Sequence, residues 1–357
     1  MLKALAYKLA YTLLVIWGVA TLVFCLFSIL PGDPSRMMLG QRDNEEMRRA
    51  IQKKYGFDKA LTQQYFYFLN DLSPLSVHGN LPTDFTNISK HSYTVFAALK
   101  TSKYSLVLKA PYLRESFVRK GMPVSAIIAN TLPNTFVLAI AAMSIALFFG
   151  IAFGLVSALH EHKFIDQFLS SIAVFGMALP SFFSAILMAW IFGYVYQEYT
   201  GLSMTGSLYE VDDYGRGEHL ALKNLLLPAL TLGIRPLAVV MQLTRNSVLD
   251  TLAEDYIRTA RAKGLSSFRI LMVHALPNAL NPVLTSASGW LASLLAGAVF
   301  VEFIFGWNGL GKEIVYALNY LDLPVVMGAV LTLSICFVLI TIFTDFLYYL
   351  LDPRMRS

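Results

Sequence analysis

The chain of 357 residues is 56% hydrophobic and only 14% charged, and its mean hydropathy is +0.57. Soluble domains usually carry about a quarter charged residues, so this composition excludes a soluble enzyme or binding module with one or two apolar cores. Its 28 Lys and Arg outnumber its 23 Asp and Glu, and the positions of those cations orient the chain in a membrane.

Six apolar stretches are long enough, or nearly so, to cross a bilayer as helices of roughly 20 residues. The fourth is the weakest, because it is shorter and contains Arg235. Lipid offers no hydrogen-bond partner to the backbone, so we expect an all-α polytopic membrane protein with about six transmembrane helices. The stretches are 9–30, 135–159, 168–196, 225–243, 283–305 and 325–351.

The first stretch follows Lys3 and Lys8, as the apolar core of a secretory signal would. It is longer than such a core, and no small-residue cleavage site follows it. We therefore expect a retained first transmembrane helix at this position.

Lys and Arg close to the spans favour a cytoplasmic N-terminus and a cytoplasmic C-terminus. With that orientation ten cations lie inside, against three in the short outside loops. The inside cations are Lys3, Lys8, Lys163, Arg245, Arg258, Arg261, Lys263, Arg269, Arg354 and Arg356, and the outside ones are Arg216, Lys223 and Lys312.

The segment 31–134 between the first two spans is too long for a plain loop. It begins with the turn PGDP, continues with helical patterns at 45–57 and 61–72, and is rich in turn formers at 73–95. We expect a small external subdomain leaning on the membrane. The predicted organisation is 1–30 as N-terminal segment and first helix, 31–134 as external subdomain, and 135–357 as a five-helix transmembrane core with a cytoplasmic loop at 248–282.

Gly306–Lys312 has the G-x-x-x-x-G-K spacing of a phosphate-binding loop. Glu313 stands where Ser or Thr would hold Mg²⁺, the stretch follows a span, and the orientation places it outside, so we interpret it as a glycine-rich turn. Neither His160 with His162 nor the lone His274 has the further ligands of a metal site, and no nucleophile–base set is present. We therefore expect no catalytic residue, no metal and no enzyme.

Ionisable residues inside spans are costly in lipid and indicate function. Arg235 lies mid-span, whereas Glu302 and Asp345 lie near span ends, close to water. Pro236 beside Arg235 frees a backbone carbonyl, and Pro180 in the third span predicts a kink. Arg235, Pro236 and Pro180 are therefore candidate pathway-lining residues, although a kink that serves packing alone fits Pro180 equally well.

Gly150 and Gly154 form G-x-x-x-G in the second span, a spacing that lets a second helix approach closely. The pattern fits packing within this chain, and it fits a face shared with another membrane subunit. The residues alone do not separate these two interpretations.

The loop 248–282 is basic and lies between two apolar stretches. Residues 249–263 predict one helix that ends at Gly264, and Ser266 or Ser267 would cap a second helix that ends at Pro277. The pattern fits docking in the groove of a partner protein, and equally an interfacial helix on anionic lipid. The apolar residues are Ile257, Ala260, Leu265, Phe268 and Leu271, and the cations are Arg258, Arg261, Lys263 and Arg269.

This loop resembles the EAA loop of ABC-transporter permeases, in particular the dipeptide, oligopeptide and nickel uptake branch. Arg258, Thr259 and Ala260 stand at the Glu-Ala-Ala of that pattern, and Gly264 stands at its glycine. His274 replaces its isoleucine, as expected of the peptide branch. The positions carried over are Arg258, Thr259, Ala260, Arg261, Ala262, Lys263, Gly264, Leu265, His274, Leu276 and Pro277.

The resemblance extends over nearly the whole chain. PGDP, YGFDKALTQQYFYFL, LLAGAVFVEFIF, GWNGLGKEI and the C-terminal DPRMRS are similar to stretches of the family. The segment 80–120 departs from it, because it is longer than the family's usual external loop. That extra length predicts either an altered contact with a binding protein or an added structural element.

The resemblance implies a permease subunit that forms half of a translocation pathway in the bacterial cytoplasmic (inner) membrane. The implied partners are a second, similar permease, two cytoplasmic ATPases and an external substrate-binding protein, with no role for nucleic acid. The chain would bind no cofactor, since ATP and Mg²⁺ would be used by the ATPases. The cargo would be peptides; an ion-coupled secondary transporter, or a permease for nickel or another small solute, is the alternative.

Overall fold

The computed structural model describes residues 2–29, 34–39, 44–81, 84–90, 93–211 and 217–351. The PGD of the predicted turn, Arg216 and the C-terminal DPRMRS lie outside the described residues. Within the described part, the predicted membrane-spanning architecture is confirmed, with five helices long and apolar enough to cross a membrane, or up to six if one bent pair counts as a span. The five are Ala10–Ser28, Val124–Leu159, Lys223–Ala253, Ser267–Phe305 and Leu323–Thr344.

The third predicted span is not one straight helix. Helix α6 (Phe164–Ala178) and helix α7 (Ser181–Trp190) meet at a bend of 109°, and a π-helical turn, Ile191–Val195, continues α7. Proline disfavours helical backbone at the residue before it, and Leu179 is extended at φ −72° and ψ 132°. Pro180 therefore breaks the segment, which is a sharper change of direction than a kink.

The remaining helices, in chain order, lie within two compact units. The chain folds as two compact units, one made of 1–130 and 313–335 and the other of 131–312 and 336–357. The helices are α1 (Leu2–Ile29), α2 (Pro34–Leu39), α3 (Glu45–Tyr55), α4 (Leu61–Leu72), α5 (Val124–Leu159), α8 (Gln197–Thr200), α9 (Lys223–Ala253), α10 (Asp255–Ala262), α11 (Ser267–Arg269), α12 (Leu276–Phe305), α13 (Leu310–Asn319) and α14 (Leu323–Leu351).

In the first unit, both helices expected after the first span are present as α3 and α4. Asn44 caps α3 by accepting from the Glu46 N–H at 3.0 Å, and Gly56 ends it at φ +77°. Helix α4 folds back along α1, where Tyr65 hydrogen-bonds Thr21 at 2.7 Å. Phe68 of α4 packs in a buried cluster with Ala20 and Leu331, so α4 lies beside two candidate spans.

A three-stranded antiparallel sheet follows α4, and the sequence patterns did not predict it. Its strands are β1 (Leu75–Gly79), β2 (Val95–Lys100) and β3 (Tyr104–Lys109), in the order β1-β3-β2. Both β2 and β3 come from the segment 80–120 that is longer than expected, so the extra length does add a structural element. The inner face of this sheet is mostly polar, with Ser76, His78, Ser105 and Lys109 buried together with Val107.

The second unit is organised around α9, which packs against α6, α7 and α12. A short hairpin, β4 (Tyr209–Val211) with β5 (Glu218–Leu220), precedes α9. A Cβ at Gly150 or Gly154 would overlap Val240 or the Met241 carbonyl. This G-x-x-x-G therefore serves close packing of α5 on α9 within this chain, which settles the alternative left open by the sequence.

Candidate functional site

The cytoplasmic-loop prediction of one helix over 249–263 is wrong, because the helix breaks at Glu254. Helix α9 runs to Ala253, and Glu254 is extended at φ −68° and ψ 150°. The Glu254 carbonyl accepts the Ile257 and Arg258 N–H groups at 3.1 and 3.3 Å, so it begins α10. Asp255 then stands in the first turn, where a carboxylate is favourable to the helix dipole.

The end of α10 at Gly264 is confirmed. Gly264 has φ +79°, and its N–H donates to the Arg261 carbonyl at 2.9 Å. The Leu265 N–H donates to the Ala260 carbonyl at 3.3 Å. These two bonds form a Schellman motif, which needs left-handed backbone at the glycine.

The predicted second helix begins as expected but does not end at Pro277. The Ser266 side chain accepts from the Arg269 N–H and caps α11. A π-helical turn, Ile270–Ala275, then joins α11 to α12, so the helix is continuous from Ser267 to Phe305. Pro277 sits in the first turn of α12, where the wide π-helical turn before it tolerates the missing N–H.

Three of the five apolar residues expected to seat in a partner are buried in this chain instead. Ile257, Ala260 and Leu271 belong to a buried cluster with Ala158 of α5 and Val248 of α9, and Leu265 packs against it. Helix α10 is therefore fixed to the transmembrane helices by its own apolar stripe. The cluster also contains Ile270, Ala275 and Ala279.

The opposite side of α10, α11 and the π-helical turn after them is exposed, and we call it the basic face. It carries four exposed cations and three exposed large apolar side chains, of which Phe268 is 73% accessible. Arg258 pairs with Asp255 at 3.2 Å, while Thr259 and Ala262 are exposed between the cations. The basic face consists of Arg258, Arg261, Lys263, Phe268, Arg269, Met272 and Val273.

A polar contact that the sequence did not reveal joins α10 to the start of α12. Asn278 donates to the Tyr256 hydroxyl at 2.9 Å and to the His274 carbonyl at 3.1 Å. The Tyr256 hydroxyl also donates to the His274 carbonyl at 3.4 Å. His274 is thus held through its backbone, and Leu276 is half-buried beside the cluster.

An ion pair near this region was not predicted from the sequence, because its two members are far apart in the sequence. Arg245 of α9 contacts Asp166 of α6 in bidentate fashion, at 2.6 and 2.7 Å. Ser157 of α5 donates to the same carboxylate, as does the His162 N–H at 3.0 Å. The carboxylate therefore ties three helices together next to the α10 cluster.

The loop 306–312 holds an anion from its own chain. One oxygen of the buried Glu302 carboxylate accepts the Gly311 and Lys312 N–H groups, at 2.7 and 3.2 Å, at the start of α13. A Cβ at Gly309 would overlap that carboxylate. The N–H groups that would cradle a phosphate are therefore occupied by Glu302, which supports the interpretation as a turn.

Arg235 and the neighbours of Pro180 meet at one cavity of about 70 Å³. Arg235 is exposed on α9, and Pro236 beside it is buried. Leu179 and Ser181, on either side of Pro180, line the cavity with Arg235. Within the described residues, no three His, Cys, Asp or Glu side chains are grouped to hold a metal ion.

Two family models match the sequence. Residues 150–357 match the binding-protein-dependent transport system inner membrane component, and residues 1–79 match the N-terminal part of such membrane components. The first match alone covers more than half of the chain.

Curated relatives match over the full length. The chain is 32% identical to the di/tripeptide transport system permease protein DppB of Pseudomonas aeruginosa, covering 100% of this chain and 99% of that protein. It is 31% identical to the probable D,D-dipeptide transport system permease protein DdpB of Escherichia coli, covering 96% and 94%.

Among solved structures, a chain of the inward-facing MetNI methionine ABC transporter matches with a TM-score of 0.50 at 17% identity, over 64% of this chain and 97% of that one. The fold is therefore that of an ABC-transporter permease. The chain belongs to the family of binding-protein-dependent transport system inner membrane components, and it is a multi-pass ABC importer permease of the bacterial inner membrane rather than an enzyme.

Proposed function

We propose that this chain forms half of the pathway of an ATP-driven peptide importer and docks on a cytoplasmic ATPase through the basic face. The observation that carries the docking proposal is the division of α10 and α11 into a buried apolar side and an exposed basic side. Relatives with peptide-permease names over the full length support a peptide cargo.

The shape of the basic face favours a protein groove over a lipid surface. An interfacial helix inserts a broad apolar face into the bilayer, but Ile257, Ala260 and Leu271 are already buried within the chain. Phe268, Met272 and Val273 are the exposed large apolar side chains of 267–275. Three projecting apolar side chains with four cations near them suit a groove with an acidic rim.

Docking at this face gives a direct route for coupling. The buried cluster joins α10 to Ala158 of α5, Val248 of α9 and Ala279 of α12. Because packed interiors transmit displacement, closure of the ATPases on ATP would move these helices together and alternate the access of the pathway. ATP and Mg²⁺ belong to the ATPases, and this chain supplies the moving element.

The remaining parts of the proposed assembly follow from the family. A second permease completes the pathway, two ATPases bind inside, and an external binding protein delivers the cargo. We place both termini in the cytoplasm, the subdomain 31–134 outside, and the face of α9 that carries Arg235 on the pathway. The cytoplasmic loop 248–282 then faces the ATPases.

Replacement of Phe268 tests docking. Phe268→Ala removes a projecting side chain that packs on nothing essential in this chain, so membrane insertion should be normal while ATPase co-purification and peptide uptake fall. Phe148→Ala is the matched control, since Phe148 is 70% exposed on the span α5 and should change neither. If Phe268→Ala recovered as much ATPase and took up as much peptide as wild type, docking through this face would be refuted. Uptake of a nickel chelate in place of peptides would refute the proposal of a peptide cargo.

A further inference from the structure

Arg235 lies near the middle of a membrane-spanning helix. It is ten residues from the start and eight from the end of the apolar stretch 225–243, or about 15 and 12 Å along the axis at 1.5 Å per residue. Those distances exceed the reach of an arginine side chain toward either interface. The guanidinium is therefore placed at membrane depth, where a lipid-facing cation costs roughly 2.5–3.5 kcal/mol or more.

The described part of the chain offers Arg235 no counter-charge. Within the described residues Arg235 makes no ion pair or side-chain hydrogen bond, and its side chain is exposed. Glu302, the other intramembrane charge whose side chain is described, is engaged by the backbone N–H groups of Gly311 and Lys312. An exposed, unpaired guanidinium at this depth must face water, a cargo or a partner subunit.

The cavity beside Arg235 presents four hydroxyl groups within an otherwise apolar lining. Ser181, Ser184, Thr231 and Ser293 carry them, next to apolar residues such as Leu232 and Trp290. Its volume of about 70 Å³ is far below the roughly 300 Å³ of a pocket for a drug-sized molecule. The cavity suits one small polar group of a larger cargo.

We propose that Arg235 recognises a carboxylate of the cargo as it crosses the membrane, which deepens and rests on the proposed peptide transport. A guanidinium binds a carboxylate through two parallel hydrogen bonds that are stronger than neutral ones. Every unmodified peptide carries a C-terminal carboxylate, so this contact is independent of its side chains. Recognition at Arg235 therefore selects the chemical class of the cargo without selecting its sequence.

The test compares a peptide with its C-terminal amide. Binding of alanyl-alanine and alanyl-alanine amide is measured on the purified permease assembly without the binding protein, so that only the membrane subunits discriminate. Wild type should prefer the free acid by about tenfold, the effect of one charge-assisted contact. Arg235→Gln should abolish the preference, Arg235→Lys should keep part of it, and Lys223→Gln, at the end of the same helix, should leave it intact.

Each other result overturns the assignment. An acid preference retained in Arg235→Gln places the carboxylate elsewhere. A wild type without acid preference means that no carboxylate is read, although ATP-driven uptake could still be measured and the proposed function would stand. Loss of the second permease from Arg235→Gln on size-exclusion chromatography would make Arg235 an interface residue.

The sheet β1-β3-β2 exposes most of its apolar side chains and buries mostly polar ones. Half-buried antiparallel sheets normally turn apolar residues inward and polar ones outward. Here β3 exposes Tyr104, Leu106 and Leu108, while Ser105 and Lys109 are buried on either side of Val107. Strand β1 likewise exposes Leu75 and Val77 and buries Ser76 and His78.

The register joins these residues into one surface. Leu75 pairs with Leu108, Val77 with Leu106, and Leu99 of β2 with Leu106, and directly paired residues share a face. Exposed apolar surfaces of this kind mark contact with a membrane or a partner. We call the surface formed by Leu75, Val77, Leu99, Tyr104, Leu106 and Leu108 the apolar sheet face.

The position of the sheet points to lipid. Helix α4 packs beside Ala20 and Thr21, about 12 Å along α1 from the Ser28 end of the candidate span at 1.5 Å per residue. Asn70 of α4 holds β1 by bonding both the N–H and the carbonyl of Val77, at 2.9 and 3.0 Å. The sheet is thus tied to a helix that lies at the depth of a leaflet.

The charges near the sheet are complementary to phospholipid headgroups. Lys100 and Lys103 flank the turn between β2 and β3, and the three strands contain no Asp or Glu. We infer that the apolar sheet face rests on the leaflet next to the C-terminal end of α1. Its apolar side chains contact acyl chains, and the two lysines contact phosphates, a combination that strengthens binding to anionic lipid.

A fluorophore tests this placement in the full chain with Cys25→Ser and Cys336→Ser. A label at Leu106→Cys in phosphatidylcholine–phosphatidylglycerol vesicles should be quenched by doxyl-labelled lipid several-fold more than a label at Glu218→Cys on the exposed β5. Stronger quenching of the Leu106→Cys label by aqueous iodide would refute the lipid contact. Protection of that label only after addition of the second permease or the binding protein would assign the face to a protein instead.

Discussion

Gly264 is the residue on which the geometry of the candidate docking segment most depends. Its φ of +79° is left-handed, which costs an L-residue roughly 1–2 kcal/mol. A Cβ there would meet nothing within 4 Å, so the demand comes from the backbone and not from crowding. A side chain at this position would stand in the open between Lys263 and the rest of the basic face.

Substitution of Gly264 should therefore impair docking more than folding. We expect Gly264→Asp to insert normally, to lose most ATPase in co-purification and to abolish uptake, because it adds a negative charge between the cations. Gly264→Asn is the matched control, since Asn has the same size and tolerates left-handed backbone; it should retain more ATPase. If Gly264→Asp assembles and transports like wild type, the coupling role fails.

Gly309 differs from Gly264, because crowding by a neighbouring side chain is what requires glycine there. A Cβ at Gly309 would overlap the buried Glu302 carboxylate, while a Cβ at Gly297 would meet nothing. Gly309→Ala should displace the carboxylate from the Gly311 and Lys312 N–H groups and lower stability by about 1.5–3 kcal/mol, the value of a hydrogen bond to a charged group. Thermal unfolding in detergent measures this, and Gly297→Ala should unfold near the wild-type temperature. Equal melting temperatures for the two variants would contradict the role of Glu302.

Among the elements, the sheet depends on polar groups buried on its inner face. His78 lies between the Ser76 hydroxyl at 2.9 Å and the Thr86 carbonyl at 2.6 Å. Tyr93, which packs edge-on against His78, donates to Asp71, and Lys109 donates to the Asp71 carbonyl. Burial lowers the pKa of His78, and the neighbouring Lys109 lowers it further, against opposing contributions from Thr86 and Asp71.

This arrangement predicts that the sheet weakens in acid. With a folded-state pKa below the unfolded value of about 6.5, the unfolded state binds more protons as the pH falls through that value, so stability is lost on acidification. The hydrogen-exchange protection factors of the β1 and β3 amides, which correct for the intrinsic slowing of exchange in acid, should fall from about pH 7.5 to about pH 5.5. The fall should be smaller in His78→Gln, and an equal fall in that variant would rule out His78 as its source.

The junction of α5, α6 and α9 depends on one carboxylate. Asp166 is nearly buried and binds Arg245 and Ser157. Removing one partner of a buried ion pair costs about 3–5 kcal/mol, so Asp166→Ala should lower the melting temperature markedly. Arg245→Lys should be intermediate, because an ammonium cannot form the bidentate contact. A wild-type melting temperature for Asp166→Ala would show that the pair contributes little.

Across the whole chain, sequence patterns located the membrane-spanning helices well. The predicted stretch 9–30 corresponds to Ala10–Ser28 and 325–351 to Leu323–Thr344, since only a long apolar helix satisfies a backbone in hydrocarbon. The sheet was missed because pairing of β1 with β3 joins residues about thirty apart, which local periodicity does not report. The break at Glu254 was missed because no Pro or Gly stands at or near it in the sequence.

The sequence predicted where the candidate docking segment lies, but not which of its faces is buried within the chain. Helical periodicity and Gly264 located α10, and Gly264 was confirmed as its end. The same periodicity does not say what covers an apolar stripe, so it fits a partner's groove and a lipid surface equally well, whereas Ile257 and Leu271 pack on α5 and α9. Pro277 looked like a helix end, because a π-helical turn leaves no local sequence signal.

We propose that this permease carries peptides by coupling to ATP hydrolysis in separate subunits. The most direct measurement is uptake of a radiolabelled dipeptide by proteoliposomes that contain this chain, its permease partner, the ATPases and the binding protein. Uptake should require ATP on the side of the membrane where the ATPases lie, and it should disappear when the ATPases are omitted. It should persist when proton and sodium ionophores are added. Uptake without ATPases that collapses with an ionophore would contradict the account and support an ion-coupled transporter.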